Sequence, residues 1–239
     1  MHLITTFFKS NSENRNEEYY SCLKNNSNNK FIKSINILSE DIGIKNITEY
    51  DKVNFVNINT KPTFRNLIDY ANEHIMYNEI VIISNADIYF DDTLECVTFE
   101  KDYAYCLSRW HTLSNNDNWF HEKISACYDT WILKTPIIVE DVDFCMGVAG
   151  CDSRISYQFF KSGYLPINPS FLIKCYHLHI SNLRTWDMKD ILCGEFLGID
   201  PSDIIQYLPS ALSKYTVSKN IKNKIKQSNT TYDFFKKNV

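Results

Sequence analysis

Short apolar runs alternate with helical spacing over the first 90 residues. Apolar residues recur at helical intervals from Asn14 to Lys24, and again from Lys61 to Ile75, where Pro62 stands at the expected start. The runs with strand character are Leu3–Phe8, Phe31–Glu40, Lys52–Asn59 and Ile80–Ile83. This alternation predicts an α/β fold, in which a mainly parallel sheet is flanked by helices.

The second half of the chain is less regular. A glycine turn precedes a helix that is predicted from about Asp152 to a stop at Gly163. The strand-like segments here are Ala104–Trp110, Thr130–Pro136 and the end of Ile167–Ser181. From Pro201 onward the spacing predicts helices. We therefore expect one domain over residues 1–200 and a short helical C-terminal extension over residues 201–239.

Composition narrows the class of protein. The chain has 239 residues, of which 44% are hydrophobic, enough for one sizeable core. A net charge of -4 argues against nucleic acid as the main partner. Neither a transmembrane run of roughly 20 apolar residues nor a signal-peptide pattern is present. Eight cysteines without a CxxC pair predict reduced thiols and a cytoplasmic location, in the host cytoplasm if the source is viral.

The C-terminal segment is strongly basic. Seven lysines lie between Lys214 and Lys237, and only Asp233 opposes them. We interpret this run as a solvated helical face, with a weak contact to an anionic membrane surface or to another subunit as the alternative.

The stretch EIVIISNADIYF places polar residues directly after an apolar strand. Asn85 and Asp87 follow the run Ile80–Ile83. In an open α/β sheet, ligands bind beyond the carboxyl ends of the strands. A single carboxylate there suits Mn²⁺ or Mg²⁺ that also takes phosphate oxygens, and Asn85 could bond a neighbouring hydroxyl. The alternative is that Asp87 only caps a turn.

The segment KCYHLHIS carries two histidines in a predicted strand. Because strand side chains alternate faces, Cys175, His177 and His179 would share one face, and all three are potential metal ligands. The alternatives are hydrogen-bonded histidines, or a structural zinc site that would still lack a fourth ligand.

Two further residues stand near predicted helix starts. Asp152 follows the turn GVAG, where it serves either as an N-cap or as a general base at the lip of a cleft. Arg65 lies in the first turn of a helix, where its charge opposes the macrodipole. It is therefore either solvated or paired with an anion such as a diphosphate.

Together these segments resemble glycosyltransferases of the GT-A fold, a Rossmann-like fold with an Asp-X-Asp motif that binds metal and donor diphosphate. Here SNAD takes the place of that motif, with Asn85 in the first position. The order of segments is similar to that in a group of small viral and bacterial glycosyltransferases, over roughly residues 1–190. The segments are NADIYFDDTL, CLSRW, YDTWILKTP, GCDSRISYQFFKSGY, INPS and YHLHIS.

The resemblance implies roles for the residues that match. Asp87 would ligate the metal, with His177 or His179 as a late ligand to metal or diphosphate, and Asp152 would be the catalytic base of an inverting enzyme. Asn85 would contact the ribose or the metal shell. Thr5, Thr6 and Phe7 would contact the nucleotide base, and Arg65 would contact the nucleotide or the diphosphate. The residues that would shape the donor-sugar and acceptor region are Arg109, Trp110, Asp129 and Trp131.

The implied activity is sugar transfer from a nucleotide-diphosphate donor to a hydroxyl of a glycan or glycoprotein, assisted by Mn²⁺ or Mg²⁺. A UDP-sugar is favoured as donor by analogy alone. One rival is a non-catalytic sugar- or nucleotide-binding module, to which Asn85 lends support. A nucleotidyltransferase is disfavoured because TTFFKSNSEN, after the first strand, lacks a glycine-rich phosphate loop. A structural protein with a Cys/His metal site is the third rival.

Overall fold

The computed structural model describes residues 1–40, 50–113, 118–120, 127–178, 180–181 and 187–218. Within them lie the helices α1 (Glu13–Asn28), α2 (Phe64–His74) and α3 (Cys151–Lys161). The strands are β1 (His2–Thr6), β2 (Ser34–Ser39), β3 (Val53–Asn57), β4 (Ile80–Ser84), β5 (Ile88–Phe90), β6 (Tyr103–Leu107), β7 (Trp110–Thr112), β8 (Asn118–Phe120), β9 (Thr130–Lys134), β10 (Leu165–Ile167), β11 (Cys175–Leu178), β12 (Gly194–Ile199) and β13 (Leu212–Val217).

A seven-stranded sheet forms the centre of the molecule, in the order β10-β6-β9-β4-β1-β2-β3. Strand β1 pairs in parallel with β2 and β4, β2 with β3, and β6 with β10. Only β9 runs antiparallel to its neighbours, β4 and β6. The predicted α/β class with a mixed, mainly parallel sheet is therefore confirmed.

Both faces of this sheet are covered, as the near-continuous apolar runs of its central strands require. Ile4, Val81 and Ile83 point to one face and join a cluster with apolar side chains of α2 and α3. Leu3 and Ile82 point to the other face and pack with apolar side chains of α1. Successive side chains of a strand alternate between faces, which divides these residues between two cores.

The start of α2 is fixed by its own sequence. The Thr63 hydroxyl accepts a hydrogen bond from the Asn66 backbone N–H, and the Asn66 side chain accepts one from the Thr63 backbone N–H. This reciprocal capping satisfies two N–H groups that would otherwise lack partners at the helix start.

A second sheet, in the order β5-β11-β7-β8, stands beside the carboxyl end of β4. Strand β11 pairs antiparallel with β5, which places His177 opposite Ile88. On its other side β11 runs parallel to β7, which places His177 opposite His111. Since Asp87 directly precedes β5, this pairing brings His177 to the acidic segment.

The C-terminal segment differs from the prediction of helices from Pro201. Residues Leu212–Val217 form β13, which pairs antiparallel with β12, and the only helical turn between these strands is the 3₁₀ turn Pro209–Ala211. Buried Tyr215 and Val217 alternate with exposed Lys214 and Thr216, so the period is that of a strand and β12 supplies its partner. The helical prediction is therefore wrong for Leu212–Val217, and residues 219–239 lie outside the described part.

The hairpin of β12 and β13 packs on α3 rather than standing apart from the domain. Tyr157 on α3 donates a hydrogen bond to the Glu195 carboxylate, and Lys214 pairs with the same carboxylate. The Phe196 ring lies so close to Gly150 that a Cβ there would come within 2.8 Å of it. The predicted domain boundary at residue 200 thus falls between two paired strands.

Candidate functional site

The carboxyl edge of the central sheet collects several of the candidate residues. Strand β4 ends at Ser84, which lies opposite Thr130, the first residue of β9. Because β9 runs antiparallel to β4, Asp129 comes to the same edge as Asn85. Strand β6 also ends there, with Leu107 opposite Thr130, and Arg109 follows it. The register therefore brings three loops together, although they are distant in sequence.

Asp87 is buried at this edge, with 6% of its surface exposed. Its Oδ2 atom lies 2.6 Å from Nη2 of Arg15 and 3.1 Å from Nε2 of His177. Its Oδ1 atom is buried and has no hydrogen-bond partner among the described residues. One oxygen of this carboxylate is thus held by two cationic or hydrogen-bonding groups, and the other accepts no hydrogen bond from the described residues.

The surroundings keep Asp87 ionised. Burial alone would raise the pKa of its carboxyl group, because the charged form loses its hydration. His177, Arg15 and Arg109 outweigh that effect, so the pKa of Asp87 lies below its ordinary value. A buried carboxylate that remains charged is expected to be paired or to coordinate a cation.

Arg15 and Glu18, on the first two turns of α1, were not among the candidates from the sequence. Arg15 Nη1 lies 2.7 Å from the Glu18 carboxylate, and Arg15 Nε donates to the Tyr19 hydroxyl at 3.0 Å. Glu18 is fully buried and accepts hydrogen bonds from the backbone N–H groups of Ile180 and Ser181. The Arg15–Glu18 pair therefore ties Asp87 to the chain that follows β11.

No sequence signal would have identified this pair. An arginine and a glutamate three residues apart on a helix are ordinarily an exposed ion pair. Their role depends on the burial of Glu18 and on the approach of residues 180–181, which are more than 160 positions away in sequence.

Asn85 hydrogen-bonds to Asp129 through both its side chain and its backbone. The Asn85 side chain donates to Oδ1 of Asp129 at 2.8 Å, and its backbone N–H donates to the Asp129 carbonyl oxygen at 3.0 Å. Nη1 of Arg109 lies 2.9 and 3.0 Å from the two oxygens of the same carboxylate. The structure thus joins Asn85, Arg109 and Asp129, while Arg109 also lowers the pKa of Asp87.

Asp152 does not cap α3. The N-cap is Gly150, whose φ of 81° is a left-handed conformation that glycine adopts at little cost, and it makes no side-chain capping bond. Asp152 lies in the first helical turn, where burial and then the Asp129 carboxylate raise its pKa to about 7. A carboxyl group with that pKa can exchange a proton near neutral pH.

The end of β1 is closely packed. The Thr5 hydroxyl donates to the Ser84 carbonyl oxygen at 2.8 Å, and Phe7 is 4% exposed with its ring edge-on to Tyr19. Thr5, Phe7 and Asn85 line a small cavity at this point, and Thr6 is partly exposed beside it. These positions adjoin the Asp87 segment, but their contact with a nucleotide base stays a prediction.

The two candidate tryptophans occupy different environments. Trp131 is 1% exposed, packs edge-on against Phe64 in the core and donates its indole N–H to Ser156. Trp110 is partly exposed and donates its indole N–H to the Ser170 carbonyl oxygen. A ligand could reach Trp110, whereas Trp131 has almost no surface to offer, so we leave Trp131 out of the proposed site.

Arg65 makes its polar contacts away from Asp87. Nη1 of Arg65 donates to the Val139 carbonyl oxygen at 3.3 Å, and the carboxylates of Asp69 and Asp143 lie within 4 Å of the guanidinium. The anionic partner that its helix position calls for is thus supplied by the chain itself. Its contact with a diphosphate remains a prediction.

His177 is the histidine of the pair that the structure describes, and His179 lies outside the described residues. The His177 ring lies edge-on to His111, with 5.3 Å between ring centroids, and His111 in turn stacks on Trp119. Among the described residues, no three His, Cys, Asp or Glu side chains form a group that could hold a metal.

Comparison with known proteins supports the fold. No protein-family model matches the sequence, and no curated protein matches it. Thirty-four chains of solved structures match, among them the mannosyltransferase PcManGT from Pyrobaculum calidifontis in complex with GDP-Man and Mn²⁺. That alignment has a TM-score of 0.52 and 13% identity and covers 77% of this chain and 57% of the other. At this identity the likeness establishes a shared fold, and this chain spans little more than half the length of that protein.

Proposed function

We propose that this protein transfers a sugar from a nucleotide-diphosphate donor to a hydroxyl of a glycan or glycoprotein, with inversion and with the help of Mn²⁺ or Mg²⁺. The observation that carries the proposal is a pair of carboxyl groups in opposite environments. Asp87 is held ionised with one unpaired oxygen, while burial and Asp129 raise the pKa of Asp152 to about 7. Such a division suits one group to charge stabilisation and the other to proton transfer.

The residues fit a divalent cation that takes most of its ligands from the donor. Asp87 would hold it through the buried, unpaired Oδ1, and His177 would orient the carboxylate through Oδ2. When bound, Mn²⁺ or Mg²⁺ supplies positive charge that stabilises the negative charge developing on the leaving diphosphate. Hard cations of this kind commonly combine one or two protein carboxylates with substrate phosphates.

Asp152 is proposed to take the proton from the attacking hydroxyl. Its carboxyl group is about half ionised near pH 7, where a general base combines availability with basicity. Arg109 acts on both acidic centres, since it pairs with Asp129 and lowers the pKa values of both Asp87 and Asp152. Arg109 and Asp129 would thereby help to position donor and acceptor, and partly exposed Trp110 would border the sugar.

The donor nucleotide is open to direct test. The sequence resemblance favours UDP, whereas the structure with the shared fold holds GDP-Man. A thermal-shift screen of the purified protein would compare UDP, GDP, dTDP and CMP, each with Mn²⁺, Mg²⁺ or EDTA. A ligand at 100 times its dissociation constant adds about 2.7 kcal/mol of stability, which is readily visible.

The screen has three distinct results. A rise in midpoint with one nucleoside diphosphate that is larger with metal than in EDTA supports the proposal and identifies the donor class. A rise of equal size in EDTA keeps the nucleotide site but removes the cation from Asp87. No rise with any nucleotide contradicts the proposed function.

A non-catalytic binding module is the second candidate, because the Asn85 side chain is bonded to Asp129 where the related motif has an acidic residue. Turnover separates the two. Once the screen identifies a donor nucleotide, release of nucleoside diphosphate from the matching sugar donor above the buffer rate would exclude the module. Binding without any turnover would favour it.

A further inference from the structure

We propose that Arg15 is a binding residue for the donor diphosphate, and that it also restricts Asp87 to a single metal-facing oxygen. This inference rests on the proposed function and adds to it a protein cation at the diphosphate position. It predicts that the diphosphate binds even without metal, and that metal strengthens this binding without being essential.

The geometry around the guanidinium is the first argument. Arg15 Nη2 lies 2.6 Å from Asp87 Oδ2, on the opposite oxygen from the unpaired Oδ1. His177 Nε2 lies 3.1 Å from the same Oδ2 atom. Because an ion pair and a hydrogen bond already occupy Oδ2, a cation that binds Asp87 is directed to Oδ1.

The position of Arg15 is fixed from three sides. Its Nε donates to the Tyr19 hydroxyl and its Nη1 pairs with fully buried Glu18, which is itself held by the backbone of Ile180 and Ser181. An arginine side chain is always protonated in a protein, so its positive charge is permanent. A guanidinium held rigidly gives up little entropy when it binds an anion.

The guanidinium retains donors for a ligand. An arginine has five N–H groups, and two of them, on Nε and Nη1, donate hydrogen bonds to Tyr19 and Glu18. Nη2 forms an ion pair with Asp87, and the second N–H of Nη1 makes no hydrogen bond to the described residues. The side chain is 14% exposed. Terminal guanidinium N–H groups suit phosphate oxygens particularly well.

The charge balance of the site points the same way. Where the related motif has two carboxylates, this chain has Asn85 and Asp87, and the amide of Asn85 is occupied by Asp129. One acidic ligand for a cation is thereby missing, and one arginine stands in contact with the acid that remains. A site of this kind attracts metal less strongly and a free diphosphate more strongly than a pair of carboxylates would.

The alternative is that Arg15 is only structural and neutralises the buried acids Asp87 and Glu18. The two roles differ in their consequences for binding. If Arg15 is only structural, its removal loosens the site and lowers the affinity for every ligand. If Arg15 binds the diphosphate, its removal should lower the affinity for the diphosphate and raise the affinity for the metal, because the repulsion between Arg15 and the metal is lost.

The test compares wild type with Arg15→Gln in two separate titrations. One measures MnCl₂ alone, from the electron paramagnetic resonance signal of free Mn²⁺. The other measures UDP, GDP and inorganic pyrophosphate in EDTA by calorimetry. We expect Arg15→Gln to bind Mn²⁺ at least about 3-fold more tightly and its preferred diphosphate at least about 10-fold more weakly, since a hydrogen bond to a charged group is lost.

Two further variants make the test specific. Arg15→Lys keeps the charge and should retain most of the metal-free diphosphate binding. Arg154→Gln is the matched control, because Arg154 also lies in the first turn of a helix but donates to the Glu195 carbonyl oxygen. This control should leave both titrations within about 2-fold of wild type, given that it removes no contact with Asp87.

Failure of the inference and failure of the proposed function give different results. Suppose that wild type binds a diphosphate, and that Arg15→Gln lowers the affinity for both Mn²⁺ and diphosphate or changes neither affinity. Arg15 is then only structural, and the inference is overturned while the proposed function stands. If wild type binds a diphosphate only with Mn²⁺ present, the inference is likewise overturned. If wild type binds neither UDP, GDP nor pyrophosphate, with or without Mn²⁺, both proposals fail.

Discussion

Asp87 and Asp152 are two carboxyl groups with opposite electrostatic surroundings. Asp87 contacts Arg15 and His177, and these groups with Arg109 lower its pKa despite its burial. Asp152 has the Asp129 carboxylate as its main charged neighbour, and burial together with this like charge raises its pKa to about 7. The same residue type is thus permanently charged at one position and titrates near neutrality at the other.

The difference supports the proposed division of roles better than either residue does alone. A carboxylate that stays ionised can hold a cation at any physiological pH, but it is too weak a base to accept a proton readily. A carboxyl group with a pKa of about 7 is a stronger base, but it would be a poor permanent ligand for a cation. Pairs of titratable groups whose surroundings separate their pKa values commonly mark the division of roles in an active site.

The largest effect is expected for Asp152→Asn. Loss of the general base should lower sugar transfer by about 10²–10⁴-fold, while donor binding persists because Asp87 and Arg15 lie on other segments. Steady-state turnover measures the first quantity and the thermal shift with donor nucleotide measures the second. Asp141→Asn is the control, since Asp141 is exposed and pairs with Lys161. Turnover within a few-fold of wild type would remove Asp152 from the mechanism.

The next effect is expected for Asp87→Asn, which keeps the shape of the side chain and removes its charge. Affinity for Mn²⁺ should fall by at least about 10–100-fold, the loss that changes even to outer-shell metal partners produce. Titration of Mn²⁺ by calorimetry measures it. Asp92→Asn, five residues further along and exposed, should bind like wild type. Unchanged Mn²⁺ affinity in Asp87→Asn would disprove the metal assignment and leave Asp87 as the partner of Arg15.

The two carboxyl groups should also affect stability in opposite directions as pH changes. In the unfolded chain both lose their protons near pH 4. Folded Asp152 keeps its proton until about pH 7, so it makes the wild type progressively less stable relative to Asp152→Asn as pH rises from 4 to 7. The lowered pKa of Asp87 means that its stabilising charge is present above pH 4 and is lost as pH falls through the lowered value.

Melting temperatures of wild type, Asp152→Asn and Asp87→Asn from pH 3 to 8 test this contrast. The melting temperature of Asp152→Asn relative to that of wild type should rise by several degrees as pH increases to about 7, and should then stay constant. The melting temperature of Asp87→Asn should lie furthest below that of wild type above pH 4, and the difference should become smaller in acid. Parallel curves for both variants would mean that the two environments are not opposed.

The smallest effect is expected for Asn85→Asp, which restores the acidic first position of the related motif. The new carboxylate would face Oδ1 of Asp129, now 2.8 Å from the Asn85 amide, so a hydrogen bond is replaced by repulsion. We expect a loss of about 1–2 kcal/mol in unfolding free energy and a gain in Mn²⁺ affinity of only a few-fold, because the nearest group to the new carboxylate is Asp129. Chemical denaturation and Mn²⁺ titration measure these, with Asn85→Ala separating the lost bond from the repulsion. A tenfold tighter Mn²⁺ site would show that Asn85 is all that weakens it.

The sequence identified candidates in both regions but could not say what surrounds them. Asp87 was found because it ends a buried apolar strand, and Asp152 because it follows a glycine turn. Sequence reasoning left open whether Asp152 is an N-cap or a general base, and in the structure the N-cap is Gly150. It missed Arg15, since an arginine near a helix start has no signature until its partners are known.

Local patterns predicted those parts of the fold that local physics determines. Apolar runs bounded by polar residues predicted the central strands, the helical spacing of apolar residues after Pro62 predicted α2, and together they predicted the α/β class. The segment after Pro201 was mistaken for a helix because its strand β13 is defined by pairing with β12, a contact that no local pattern records.

The sequence by itself therefore determined the α/β class, the central strands and which carboxyl groups stand at chain positions suited to chemistry. The tertiary structure alone decided that Asp87 meets Arg15 and His177, that Asn85 meets Asp129, and that Trp131 is core whereas Trp110 is accessible. The physical reason is that charge, pKa and exposure depend on neighbours in space. Those neighbours come from α1, β9 and β11, which only the folded sheet brings to one edge.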